Sequence, residues 1–197
     1  MAVEIHPIRL RGNWDIGYAL DQHVISSIPL GEDPFGHQQF DNTRSEIGEL
    51  MYQFKYQHHH EYISDIVSSI MAFLDEHPEM RNVQSIIPVP PTMSRDYQPT
   101  IELGKALGKE LNVYCCPNVL EKQSGIVAKE LTAEDKHKLR GSIIRRATAK
   151  FRHNVLLLDD IFQSGTTLSQ CVDALREDPN VNKIFVLTIT KTKNISR

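Results

Sequence analysis

Cysteine is scarce in this chain: three among 197 residues, Cys115, Cys116 and Cys171, two of them adjacent. An odd count with that spacing does not make a secreted disulfide framework, and no C-x-x-C pair opens a zinc site. A reducing, cytoplasmic setting is therefore expected. Long apolar runs are also missing. No stretch approaches the roughly 20 residues needed to cross a bilayer, and the opening MAVEIHPIRLRGNWD lacks the apolar segment of a signal peptide, so no membrane partner is expected. Net charge is small, −3 with a pI near 6.3, which argues against a broad nucleic-acid-binding face while leaving room for a local basic pocket. Neither G-x-x-x-x-G-K-[ST] nor G-x-G-x-x-G occurs, so nucleoside-triphosphatase and dinucleotide-binding readings lack their motifs.

What is present is ordinary for a single well-buried domain: 40% hydrophobic and 24% charged residues. Residues 1 to about 40 read as irregular. Thr43 then reads as the cap of a helix, with Glu46 three residues on as a capping-box partner and Ile47, Leu50, Met51 and Phe54 at helical spacing. A second helix carries Ile63, Ile66, Val67, Ile70, Met71 and Leu74 on one face and ends near Pro78. From residue 84 strands and helices alternate. SIIPV (85–89) reads as a buried strand, Pro99 opens a helix, and NVYCC (112–116) is the next strand. NVLLLDD (154–160), TTLSQCVDALRE (166–177) and KIFVLTIT (183–190) continue as strand, helix and strand. The expected fold is α/β, a mainly parallel twisted sheet flanked by helices. A helical and irregular portion, 1–83, would pack on a core of 84–197. Between two of the strands lie 37 residues, 117–153, polar and basic with little apolar periodicity, and a helix expected from Thr132. Connections of that length usually serve function, so this one reads as a mobile loop.

The chemistry concentrates in VLLLDDIFQSGTT (155–167). Ligands of open parallel sheets bind outside the carboxyl ends of the strands, where Asp159 and Asp160 fall. Two adjacent carboxylates after four apolar residues are costly unless compensated, and vicinal sugar hydroxyls are suitable partners for them. Gln163-Ser164-Gly165-Thr166-Thr167 then leads into a helix. Gly165 permits a tight turn, and successive N–H groups backed by the helix dipole form an anion cradle to which Ser164, Thr166 and Thr167 add hydroxyls. Acceptors for a diol followed by donors for a phosphate match a ribose 5-phosphate. Ser164–Thr167 alone would pass for a helix cap; the whole unit is more than that.

These thirteen residues closely resemble the phosphoribosyl pyrophosphate-binding motif of type I phosphoribosyltransferases. QFKYQ (53–57), IIPVPPTMSRDYQP (86–99) and QSGIVAKELTAEDKHKLRGSI (123–143) further resemble segments of the competence protein ComF subgroup. Two departures stand out. No cysteine precedes Cys115, so the N-terminal zinc ribbon of that subgroup is missing, and Arg95-Asp96-Tyr97-Gln98-Pro99 replaces its usual Arg-Gly-aromatic-Asn-Gln. The resemblance implies a phosphoribosyltransferase that moves ribose 5-phosphate from phosphoribosyl pyrophosphate to a nitrogenous small molecule, with pyrophosphate released. By the same resemblance Asp159 and Asp160 hold the ribose hydroxyls, residues 163–167 hold the 5-phosphate, and Arg95 meets the pyrophosphate. Mg²⁺ would arrive with the diphosphate rather than on protein ligands. The 117–153 loop would close over the site, with Lys122 and Lys129 as its cations. A homodimer is compatible with this reading, and a nucleic-acid partner is not expected.

Trp14 and Tyr18 could stack on a planar base, although a lone Trp in GNWDIGYAL serves equally as a core anchor. His58-His59-His60, with His23 and His37 upstream, lacks spaced co-ligands and reads as a solvated helix start. Cys115 and Cys116 read as buried, inert thiols. An alternative function keeps the same ligand without turnover, as a sensor of phosphoribosyl pyrophosphate or a nucleotide. Tight binding with no reaction on any acceptor would distinguish it.

Overall fold

The run Val155–Leu158 is wholly buried, and the reason is that its strand is covered on both faces. Val155 and Leu157 point into one apolar cluster, Leu156 and Leu158 into another on the opposite side. The computed structural model describes residues 1–57, 59–91, 97–123 and 142–193. Among these, the central sheet holds β1 (Ile8–Arg9), β2 (Ile16–Gln22), β5 (Ser85–Pro88), β6 (Tyr114–Cys115), β9 (His153–Phe162) and β10 (Val181–Lys191), in the spatial order β1-β2-β10-β9-β5-β6. The pairs β2–β10, β10–β9, β9–β5 and β5–β6 are parallel, and only β1 runs antiparallel, against β2. This is an α/β fold with a mainly parallel sheet flanked by helices.

Helices α1 (Glu46–Tyr56), α2 (Ile63–Glu76) and α4 (Pro99–Leu111) cover one face through Ile47, Phe54, Ile66, Ile70, Phe73, Leu103 and Leu107. The short α3 (Pro78–Arg81) adds Met80 to the same cluster. Helix α5 (Thr166–Arg176) covers the other face with Leu168, Cys171, Val172 and Leu175. The spacing of these residues is the one their helical periodicity predicts. Pro99 does stand in the first turn of α4, where its missing N–H costs nothing.

Four expectations need correction. The N-terminal portion is not irregular: β1 and β2 belong to the central sheet, and β3 (Val24–Glu32) pairs with β4 (Gln38–Arg44) as a separate antiparallel hairpin. Thr43 does not cap α1. Pairing with Ser26 holds it extended in β4, and Ser45 takes the role, its hydroxyl accepting from Gly48 N–H at 3.0 Å while donating to the Gln22 carbonyl. The strand expected over 112–116 shortens to Tyr114–Cys115, because α4 runs on to Leu111 and Asn112 is left-handed, with φ 55°. The 117–153 connection is not without regular structure, since β7 (Leu120–Lys122) pairs antiparallel with β8 (Ile143–Arg145). The helix expected from Thr132 lies outside the described residues, as does His58. His60 opens a 3-10 turn, His60–Tyr62, ahead of α2.

Candidate functional site

Strand alternation decides where the two acids go. Asp159 follows Leu157 on the α5 side of the sheet, and Asp160 follows Leu158 on the side covered by α1 and α2. Asp160 there meets the ammonium of Lys55, in the last turn of α1, as an ion pair and hydrogen bond. The side chains are 24% and 13% exposed, so the pair is poorly screened by solvent. Burial works against charge on Lys55, but the Asp160 charge and its hydrogen bond outweigh this and raise the Lys55 pKa. Asp159 turns its Oδ1 back to accept from Asp160 N–H at 2.9 Å. Burial, then the charge of Asp160, pushes the Asp159 carboxyl up to about 7, against the pull of that amide and of Lys55. Behind the pair, His23 Nδ1 lies 3.1 Å from Thr190 Oγ1, and Thr190 donates to the Asp160 carbonyl at 3.3 Å. Burial, with Arg44 and Lys55 nearby, lowers the pKa of His23.

β9 ends at Phe162, and three residues later the chain enters α5. Gly165 stands at the N-cap in the left-handed conformation, φ 75° and ψ 0°, and no side chain caps the helix among the described residues. A Cβ at Gly165 would come within 3.0 Å of the Phe162 ring, so the position is closed by sterics as well as by φ. Phe162 in turn meets Trp14 edge to face, with ring centroids 6.4 Å apart. Ser164 and Thr166 hydroxyls bond to each other at 3.0 Å, and the approach of Thr166 N–H to Ser164 is a long 3.4 Å. Apart from that long contact, no side chain among the described residues caps the first N–H groups of α5, which with the helix dipole can face an anion. The cap reading of Ser164–Thr167 does not describe this turn.

Acids, cation and turn share one cavity of about 370 Å³ at the carboxyl ends of β5 and β9. Its walls are Lys55, Val89–Pro91, Gln98–Ile101 and the continuous stretch Asp159–Leu168. The structure therefore brings together Asp159, Asp160, Gln163, Ser164, Gly165, Thr166 and Thr167. Lys122 ends β7 opposite Ile143 and does not line the cavity. Arg95 and Lys129 lie outside the described residues. Among the described residues no three His, Cys, Asp or Glu side chains converge on a metal-binding geometry.

Lys55 did not stand out as a site residue from sequence, although it sits in the QFKYQ segment. The signal available was the cost of two adjacent acids at the end of a buried strand, which calls for a cation from elsewhere in the fold. Trp14 and Tyr18 are packing residues. Trp14 is 8% exposed, donates to the Leu10 carbonyl at 3.3 Å and fills the space over Gly17, while Tyr18 packs edge to face on Phe73 and His77. Cys115 and Cys116 are partly rather than fully buried, and burial raises both thiol pKa values, that of Cys115 to about 11, which keeps them unreactive.

No family model matches the chain, and no curated protein does. Several solved structures are similar to it. Adenine phosphoribosyltransferase from Trypanosoma brucei, in complex with AMP, pyrophosphate and ribose-5-phosphate, is 14% identical over 96% of this chain and 76% of that one, with a TM-score of 0.49. Adenine phosphoribosyltransferase from Saccharomyces cerevisiae, bound to an imino-altritol bisphosphate and adenine, is 14% identical over 82% of this chain and 83% of that one, TM-score 0.46. Hypoxanthine phosphoribosyltransferase from Staphylococcus aureus is 20% identical over 67% of this chain and 64% of that one, TM-score 0.45. No helix among the described residues is long and apolar enough to cross a membrane.

Proposed function

We propose that this chain is a phosphoribosyltransferase, with phosphoribosyl pyrophosphate as donor and a nitrogenous small molecule as acceptor. The observation that carries the reading is the cavity in which a helix N-terminus without a side-chain cap, a left-handed glycine, two carboxylates and a half-buried lysine face one another. The turn at 163–167 supplies backbone donors for the 5-phosphate. Asp159 and Asp160 supply acceptors for the ribose hydroxyls, one from each face of the sheet at the carboxyl end of β9. Lys55 is the cation that lines the cavity among the described residues and would face the diphosphate, with Arg95 added by the resemblance. Loss of the diphosphate from C1 builds positive charge on the sugar, and carboxylates fixed beneath the ring stabilise that charge without reorganising. Lys55 stabilises the departing anion.

Magnesium belongs to this reading as an ion brought in with the diphosphate, since Mg²⁺ is commonly held by substrate phosphates and water together with few protein oxygens. Asp159 and Asp160 are the carboxylates able to face it. The finer kinship with the ComF subgroup draws support from QFKYQ, whose Lys55 is the residue that pairs with Asp160. A cytoplasmic setting and closure by the 117–153 connection complete the proposal.

Titration calorimetry with magnesium and phosphoribosyl pyrophosphate tests it, alongside a screen for pyrophosphate release across a panel of nitrogenous bases. Binding is expected in the unmutated protein, and Asp160→Asn and Gly165→Val should each weaken it about tenfold or more while circular dichroism stays unchanged. Absence of binding by the unmutated protein would overturn the assignment. Binding without turnover on any base would leave a sensor in place of an enzyme.

A further inference from the structure

A second cavity, about 290 Å³, opens at the other end of the sheet, where β5, β6, β9 and β10 begin. Its walls are largely apolar, with Ile87, Val119, Leu175 and Val181 among them. Two of its lining residues carry polar atoms that are buried without a hydrogen-bond partner among the described residues: Ser85 Oγ and Arg145 Nε. Ser85 is 7% exposed, and the Arg145 side chain 17%. Buried donors without partners are rare and cost free energy, so a pair of them on residues that line one cavity requires an explanation. The rest of Arg145 is fixed. Its Nη1 donates to the Ala147 carbonyl at 2.9 Å and to Thr148 Oγ1 at 2.6 Å, and lies 3.9 Å from Asp178 Oδ2.

We infer that this cavity is a second ligand site, for a small flat apolar molecule bearing a carboxylate. The orphaned Arg145 N–H can only donate and the Ser85 hydroxyl can donate, so the complement they lack is an acceptor. Fixed charge favours an anionic one. Asp178 also lines the cavity, but its carboxylate already accepts from the backbone N–H groups of Ala149 at 2.7 Å and Asn180 at 3.0 Å, and Arg145 and the rim residue Lys150 outnumber it. Flatness follows from the mouth. Tyr114 and Phe151, 82% and 66% exposed, line it as aromatic side chains that offer exposed faces to a ring. The site is separate from the cavity at the carboxyl ends of the strands and does not rest on the reaction proposed for that cavity.

The test uses 2-naphthoate as probe and 2-naphthamide as its uncharged counterpart, followed by amide chemical shifts of the full-length ¹⁵N-labelled protein. Saturable shifts at Ser85, Val119, Arg145 and Val181 are expected with 2-naphthoate, and weaker binding with the amide. Arg145→Met should weaken 2-naphthoate about tenfold, the scale of one lost hydrogen bond to a charged group. Ala147→Trp, a change at an exposed position on the mouth, should do so by obstruction and keeps the test open if Arg145→Met does not fold. No saturable shifts, shifts confined to residues 159–168, or equal affinity for acid and amide would each overturn the inference.

Discussion

Asp159 and Asp160 are adjacent in the chain yet sit in different surroundings. Asp160 has Lys55 as counter-ion, whereas Asp159 accepts one backbone N–H, and that amide and the Lys55 charge do not offset its burial and its neighbour's charge. The folded-state pKa of Asp159 lies above its unfolded value. Ionising it therefore costs the folded state: the penalty is absent below about pH 4, grows as pH rises toward 7 and is constant beyond. Asp159→Asn removes that penalty. The variant should gain stability relative to the unmutated protein as pH rises, on the order of 3 kcal/mol between pH 4.5 and pH 8. Urea unfolding at the two pH values measures the gap, and a gap no larger at pH 8 than at pH 4.5 would contradict it.

At the scale of elements, the junction of β4 and α1 separates sequence expectation from structure. Ser45 caps α1 and ties it to the end of β2, so Ser45→Ala should cost about 1 kcal/mol, while Thr43→Ala, at an exposed hairpin position, should cost far less. Thermal unfolding of the two variants compares them directly. The strands of the sheet centre were legible because burial on both faces leaves an uninterrupted apolar run, as in Val155–Leu158. β2 was not legible, since Gly17 makes room for Trp14 and Ala19 replaces a branched residue, which erases the usual strand signature. That Asp159–Thr167 would come together around one cavity was legible because strand end, turn and helix start are contiguous. Lys55 was not, because it reaches Asp160 from 105 residues away and a lysine in a last helical turn reads as solvated.

At the scale of the molecule, the β3–β4 hairpin stands apart from both apolar clusters. Its strands pair only with each other, and nearly all of its residues are exposed. Replacing Ser26–Asn42 with a two-residue turn should shift Tm by less than about 5 °C, as scanning calorimetry can establish, because little buried area is lost. The body that remains contains the chain's single tryptophan. Trp14 touches Phe162, and a Cβ built on Gly165 would lie 3.7 Å from its indole ring. The protein thus carries its own fluorophore directly beneath the turn at 163–167. An anion settling on that turn should alter the emission of Trp14, so that occupancy becomes an optical signal from unlabelled protein, one that stopped-flow mixing can follow in time.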